Sequence, residues 1–244
     1  METAAHQAAS HADRFGAVTH EVLNQPHELA DYNLYSSDRP LAEAVVREGA
    51  QWAENDIADF GARVGAAEYL DLGVQANRHL PEFDTHDRYG RRVDLVRFHP
   101  AYHQLMKTSI EEGLHSSPWT DPRQGAHVAR AARFYMHSQV EPGHGCPISM
   151  TFACAPALTL QPDVARQWLP KIFAREYDPR NVPVDQKKGV TIGMAMTEKQ
   201  GGSDVRANTT RAVPVGAGGP GGEYELVGHK FFVSAPMCDA FLVL

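Results

Sequence analysis

Thr197, Ser203 and the pair Gly201 and Gly202 lie in one short stretch of the chain. Together they offer two hydroxyls and unhindered backbone N–H groups to a small volume, the ingredients of an anion-holding turn. They follow a run in which Val190, Ile192, Met194 and Met196 alternate with Thr191, Gly193, Ala195 and Thr197. That is strand period, with bulky residues on one face and small ones on the other. Gly193 and Ala195 lack bulk, so the spacing predicts that a planar ring approaches the backbone closely there. A phosphorylated, flat, polar-edged cofactor suits such a place. The turn is neither the phosphate-loop pattern nor GxGxxG. On composition alone, an ordinary glycine turn between two strands is the better account.

The elements that must position this turn fall into two textures. From Asp38 to about Phe173 the periodicity is helical. Asp38 is placed to cap a helix with Pro40 in its first turn, and Leu41, Ala44, Val45 and Trp52 share a face, with Ile57, Phe60 and Val64 continuing it. Further helices are predicted around Tyr69–Leu72, after Pro100 and from Val128 to Gln139. Cys146 to about Leu160 is nearly all apolar or small, which predicts a helix buried on most sides, kinked or ended by Pro156. Asp163–Phe173 predicts one short helix more. A small hairpin with a glycine turn interrupts the series near 82–97. From about Gly189 the period is that of strands. Arg206–Val215 and Tyr224–Val227 are expected to pair across a glycine-rich loop, and further strands to begin at His229–Ser234 and Phe241–Leu244. The expected division is a mobile tail over 1–20, an arm and helical domain over 21–188, and an incomplete β domain over 189–244.

Composition excludes several classes. The chain has 244 residues, 43% hydrophobic and 22% charged, with a formal net charge of −7. That is an ordinary globular balance with a core of useful size, and it argues against nonspecific binding to nucleic acid. No apolar run approaches a membrane span, and the first residues lack the apolar core of a secretory signal. Cys146, Cys154 and Cys238 show no metal-ligand spacing. They fit a reducing, cytoplasmic setting. No metal site is expected, and the histidines read as scattered. Trp52, Trp119 and Trp168 read as packing anchors.

Ala195-Met-Thr-Glu-x-x-Gly-Gly-Ser-Asp-x-x-Ala207 resembles the flavin-binding signature of the acyl-CoA dehydrogenase family at every defined position. Val227-Gly-His-Lys-Phe-Phe-Val-Ser234 is similar to that family's second flavin segment. Asn33-Leu-Tyr-Ser-Ser-Asp38, Val93-Asp-Leu-Val-Arg-Phe-His-Pro100, Ala129-Arg-Ala-Ala-Arg-Phe134 and Cys146-Pro-Ile-Ser-Met-Thr151 resemble its alkylation-response (AidB) branch. The resemblance covers about residues 22 to 244. It implies an α+β fold: a helical domain, then the beginning of a β-barrel middle domain, with the family's C-terminal helical bundle absent from this sequence.

The resemblance further implies FAD, contacted by Met194, Ala195, Met196, Thr197, Gly202, Ser203, Phe232, Val233 and Ser234. Thr197 would lie at the ring, Ser203 near the pyrophosphate and Ser234 near N5. The family usually has tryptophan where Phe232 stands; phenylalanine keeps the stacking surface and loses the indole donor. The implied chemistry is α,β-dehydrogenation of an acyl-CoA-type substrate, with a carboxylate removing the α-proton and a hydride passing to flavin N5. In the family the base belongs to the C-terminal domain, so Glu198 is expected to order the turn, and no catalytic residue is assigned. The resemblance also implies that this stretch by itself binds FAD weakly or not at all. It implies a tetrameric homo-oligomer for the full-length family member. Two rival readings accompany it: a protective protein touching DNA through the C-terminal domain, and a truncated product without activity.

Overall fold

A computed structural model describes His20 and residues 22–244. The expected tail, apart from His20, lies outside the described residues. Asn33 docks the arm, its amide donating to Ala58 O at 3.0 Å and its side-chain oxygen accepting from Tyr35 N at 2.9 Å. Leu34 and Tyr35 are thereby buried.

Asp38 Oδ1 accepts from Leu41 N at 3.0 Å, capping α1 (Arg39–Arg47). The expected face running on to Trp52 is interrupted. Gly49, at φ 83°, turns the chain into a 3-10 turn at Gln51–Ala53, and Trp52 is left 44% exposed. α2 (Glu54–Val64) and α3 (Ala67–Arg78) follow. Ile57, Phe60 and Val64 share the inner face of α2. They pack with Val45, Leu105, Ala129, Ala132 and Met136 in the largest cluster of buried apolar side chains.

β1 (Glu82–His86) and β2 (Arg92–Arg97) form the antiparallel hairpin. Helices α4 (Pro100–Glu111), α5 (Ser117–Thr120), α6 (Ala126–Val140), α7 (Gly145–Thr159) and α8 (Pro162–Ile172) complete the helical part. α7 departs from expectation. Ile148, Thr151, Cys154 and Ala155 are buried, whereas Ser149, Ala153, Pro156 and Ala157 are exposed, so only one face is covered. Small residues make the outer face apolar without needing burial. Pro156 is tolerated because the helix ends within a turn of it.

β3 (Ile192–Ala195) is anchored to α7: Ile192 N donates to Thr151 Oγ1 at 3.0 Å, and Ile192 and Val190 pack on Cys154 and Ile172. A 3-10 turn at Val205–Ala207 replaces the start of the expected long strand, leaving β4 (Arg211–Pro214) to pair antiparallel with β5 (Tyr224–Val227). β6 (Ala240–Val243) runs parallel to β3. His229–Ser234 is not a strand: it makes one bridge, Glu198 to Lys230, and Phe232 has φ 54°. Among the described residues the strands form three separate two-stranded sheets, not a closed barrel.

Candidate functional site

Both motif segments converge at the end of β3. Phe231 N donates to Thr197 O at 2.9 Å, and Lys199 N donates to His229 O at 3.0 Å. Asn208 Nδ2 donates to Met196 O at 2.9 Å, fixing the backbone just before Thr197. Gly202 is folded onto Thr197: a Cβ there would stand 2.8 Å from Thr197 Cγ2 and 2.9 Å from Oγ1. The side chains this ladder presents are open. Met196 is 43% and Phe232 79% exposed, with Val233, Ser203 and Ser234 on the surface beside them. The hydroxyls of Thr197, Ser203 and Ser234 make no hydrogen bond to another described residue. Phe232 is held outward by its left-handed backbone, an uncommon conformation for a bulky residue.

The small face of β3 is used otherwise than predicted. A Cβ on Gly193 would fall 2.2 Å from the Phe241 ring, so β6 supplies the flat group that lies over this glycine. Ala195 is buried in the same sheet. Close approach by a cofactor ring is therefore excluded over Gly193, and the open surface begins at Met196.

Glu198 is the hub of the turn. Its carboxylate accepts from Thr209 N (2.8 Å) and Oγ1 (3.1 Å), Thr210 N (2.8 Å) and Oγ1 (2.5 Å), Gln200 Nε2 (2.5 Å) and Lys230 Nζ (3.3 Å). The hydroxyl and amide donors of Thr210 and Thr209 hold it far below the ordinary carboxylate range. A carboxylate so fully engaged is a poor proton acceptor; it ties the turn to β4 and to the second motif segment.

Asp239 orients β6 in a similar way. It accepts from Lys187 Nζ at 2.7 Å and Thr191 N at 2.9 Å, while its own N–H donates to Thr191 O at 2.9 Å. Asp178 accepts from Arg180 and from Lys188 N, steadying the connection into β3. A cavity of about 480 Å³ opens between the helical and strand segments, lined by Phe98, Tyr102, Met106, Tyr177 and Asp239 among others. None of the nine motif residues lines it.

One polar constellation had no signal in the sequence. Tyr69 OH lies 2.9 Å from His137 Nε2; His137 Nδ1 lies 2.9 Å from Ser109 Oγ and 3.1 Å from His144 Nε2. His144 Nδ1 lies 3.0 Å from Glu141 Oε2. Burial alone would raise Glu141, but hydrogen bonds from the His144 side chain and the backbone of His144 and Gly143 bring it down to about 2. Burial drives His137 well below its ordinary value. Every ring nitrogen is satisfied when Tyr69 donates to His137, His137 to His144, and His144 to Glu141. Serine, histidine and carboxylate in series suggest a nucleophile, yet Ser109 is 1% exposed and does not line that cavity. The network ties α3, α4, α6 and the start of α7 together. Its members are scattered from residue 69 to residue 144 and meet only in the fold. Among the described residues no cluster suits a metal ion, and no helix is long and apolar enough to cross a membrane.

The family described as adaptive response protein AidB N-terminal domain matches residues 24–179. The chain belongs to the AidB-like branch of the acyl-CoA dehydrogenase family. It is 50% identical over 228 residues to AidB of Escherichia coli (strain K12), which carries the name of an acyl-CoA dehydrogenase; the match covers 93% of this chain and 41% of that one. It is 30% identical over 251 aligned positions to acyl-CoA dehydrogenase family member 11 of Caenorhabditis elegans, covering 99% of this chain and 38% of the relative. The 244 residues thus span about two-fifths of the length of these relatives. Among solved structures, the apo form of Bd2924 superposes with a TM-score of 0.73 at 26% identity, over 88% of this chain and 42% of its own. Caenorhabditis elegans ACDH-11 in complex with C11-CoA gives 0.73 at 24% identity, over 94% and 39%, a likeness of fold.

Proposed function

We propose that these residues form the flavin-holding part of an FAD-dependent acyl-CoA dehydrogenase of the AidB type. The observation that carries the reading is the junction of the two motif segments at Thr197 and Phe231, with three unengaged hydroxyls beside exposed Met196, Phe232 and Val233. That set fits a flavin: apolar surface for the ring, hydroxyl donors for its polar edge, and flexible N–H groups at Gly202 and Ser203 for a pyrophosphate.

Thr197 and Ser234 would hold the ring edge, and Ser203 the phosphates. Met194, Ala195 and Met196 set the height of the strand on which the ring rests. FAD, when bound, supplies a hydride acceptor. The chain's own residues fix the orientation of that acceptor and exclude water from one side of it. Glu198 keeps the two segments in register and does not take the substrate's α-proton. The division 21–188 and 189–244 then has a functional meaning, the helical part buttressing β3 through Thr151 and the strand part carrying the cofactor surface. An acyl-CoA-type substrate is supported by the relatives' names and by the C11-CoA complex of the similar structure. A place in an adaptive response is supported by the matching family's description; its assignment to alkylation damage and to the cytoplasm rests on the sequence resemblance and the cysteine pattern.

Titration of FAD into a full-length family member carrying these residues, followed by flavin fluorescence anisotropy, tests the assignment, since this stretch by itself is expected to bind FAD weakly or not at all. Replacing Thr197→Ala together with Ser234→Ala removes two hydrogen bonds and should raise Kd by about tenfold. An unchanged Kd would place the flavin elsewhere.

A further inference from the structure

A second cleft, of about 470 Å³, lies in the helical part and shares no residue with the flavin segments. Its lining includes Arg63, Arg133 and Arg175, with Glu112 the inner carboxylate. Arg133 is the telling residue. Its side chain is 11% exposed, and its Nε has no hydrogen-bond partner. Its nearest carboxylates stand at 3.9 Å (Asp56) and 4.0 Å (Glu112), beyond hydrogen-bond reach. A guanidinium buried with unused donors is costly unless something satisfies it.

Glu112 gives Oε1 to Arg63 at 2.6 Å and leaves Oε2 4.0 Å from Arg133 Nε, too far to satisfy it. Arg175 folds its guanidinium over Gly113, where a Cβ would stand 3.0 Å from Nη2, and it makes no ion pair among the described residues. Burial and the positive charge of Arg175 both act to lower Arg133, partly opposed by Glu112 and Asp56. Of the four guanidinium groups in the lining only Arg133 is largely buried, Arg63, Arg123 and Arg175 being exposed, and of the four carboxylates only Glu112 is not exposed. The remaining acids, Asp56 and Asp121, are 76% and 61% exposed and stand at the rim, with Asp59 also exposed. Asp121 is paired with Arg123 at 3.0 Å. On one wall Trp52 presents its ring, with the Arg123 guanidinium 3.3 Å from the centroid, and Phe60 lies nearby.

We propose that this cleft is a binding site for a small phosphate monoester or comparable dianion. Guanidinium forks match a phosphate's oxygens two at a time, and Arg133 and Arg175 have donors to spare for them. The volume exceeds that of a bare phosphate, leaving room for a small flat body against Trp52. Glu112 limits affinity by competing for Arg63 and repelling the ligand.

Two probes test this on the 244-residue chain: inorganic phosphate and phenyl phosphate, each titrated against chloride at matched ionic strength. Binding is read by equilibrium dialysis and by tryptophan emission. Both probes should saturate, with phenyl phosphate the tighter. Arg175→Gln should raise Kd by about tenfold, as expected for one lost charge-assisted pair. Glu112→Gln should lower it several-fold, a direction that a merely structural disturbance would not produce. Arg175 and Glu112 are chosen because both are partly exposed, whereas replacing buried Arg133 endangers folding. A response equalled by chloride, a Kd untouched by Arg175→Gln, or weaker binding in Glu112→Gln would each overturn the proposal.

Discussion

At the scale of single residues, the buried hydroxyl of Thr151 is the most informative. It donates to Pro147 O at 2.7 Å and accepts from Ile192 N at 3.0 Å, so one side chain joins α7 to β3. Thr151→Val keeps the shape and leaves a strand N–H without a partner. Denaturant unfolding should show a loss of about 1–3 kcal/mol. Glu198→Gln tests the turn. The neutral amide cannot accept from all its donors at once, so limited proteolysis should cut the 199–210 stretch faster while the helical part stays intact. The sequence revealed that Glu198 belongs to the turn, because its neighbours form a dense motif. It gave no hint of the threonine donors eleven and twelve positions on, or of the Tyr69–His137–His144–Glu141 series. Those contacts depend on how elements pack, and no spacing rule encodes that.

At the scale of elements, the helices were legible wherever a cap or an apolar period stood alone, as at Asp38 and in α2. Two elements misled. α7 reads as fully buried because Ala and Pro count as apolar, yet small side chains bury little area and tolerate water. The stretch His229–Ser234 alternates like a strand, but its backbone partners are turn residues, Thr197 and Lys199, and Phe232 is forced outward. The small face of β3 was seen correctly as small, and its occupant was misjudged: Phe241 fills it. Gly193→Ala should therefore destabilise the β3–β6 pair, and Phe241→Leu in the same chain should restore part of the loss. Thermal unfolding of the single and double variants measures this; equal midpoints for Gly193→Ala and the parent would contradict the packing.

At the scale of the whole molecule, stability should depend on acidity in a defined window. His115 is buried against Ala174 O, and burial lowers it to about 4 from the usual 6.5. A histidine lowered in the folded state takes up its proton more readily when unfolded. Its contribution is thus present in full above about pH 6.5 and is lost as pH falls toward 4, by up to about 3 kcal/mol. His137 acts in the same direction. Glu141, lowered to about 2, adds stability above the ordinary carboxylate range that is lost only as pH falls on toward 2. Urea unfolding at pH 7 and pH 4.5 should show a clear drop, and His115→Gln should make the drop smaller. An identical pH slope in that variant would remove His115 from the account.

The parallel register of β3 and β6 has a temporal consequence. Parallel neighbours need a long crossover, and here that crossover carries both candidate flavin segments, from Met196 to Ser234. A ribosome therefore releases the helical part well before the partner of β3 emerges. Until then Gly193 lacks its aromatic cover, Phe241. The loops therefore reach their folded arrangement only after β6 has joined β3.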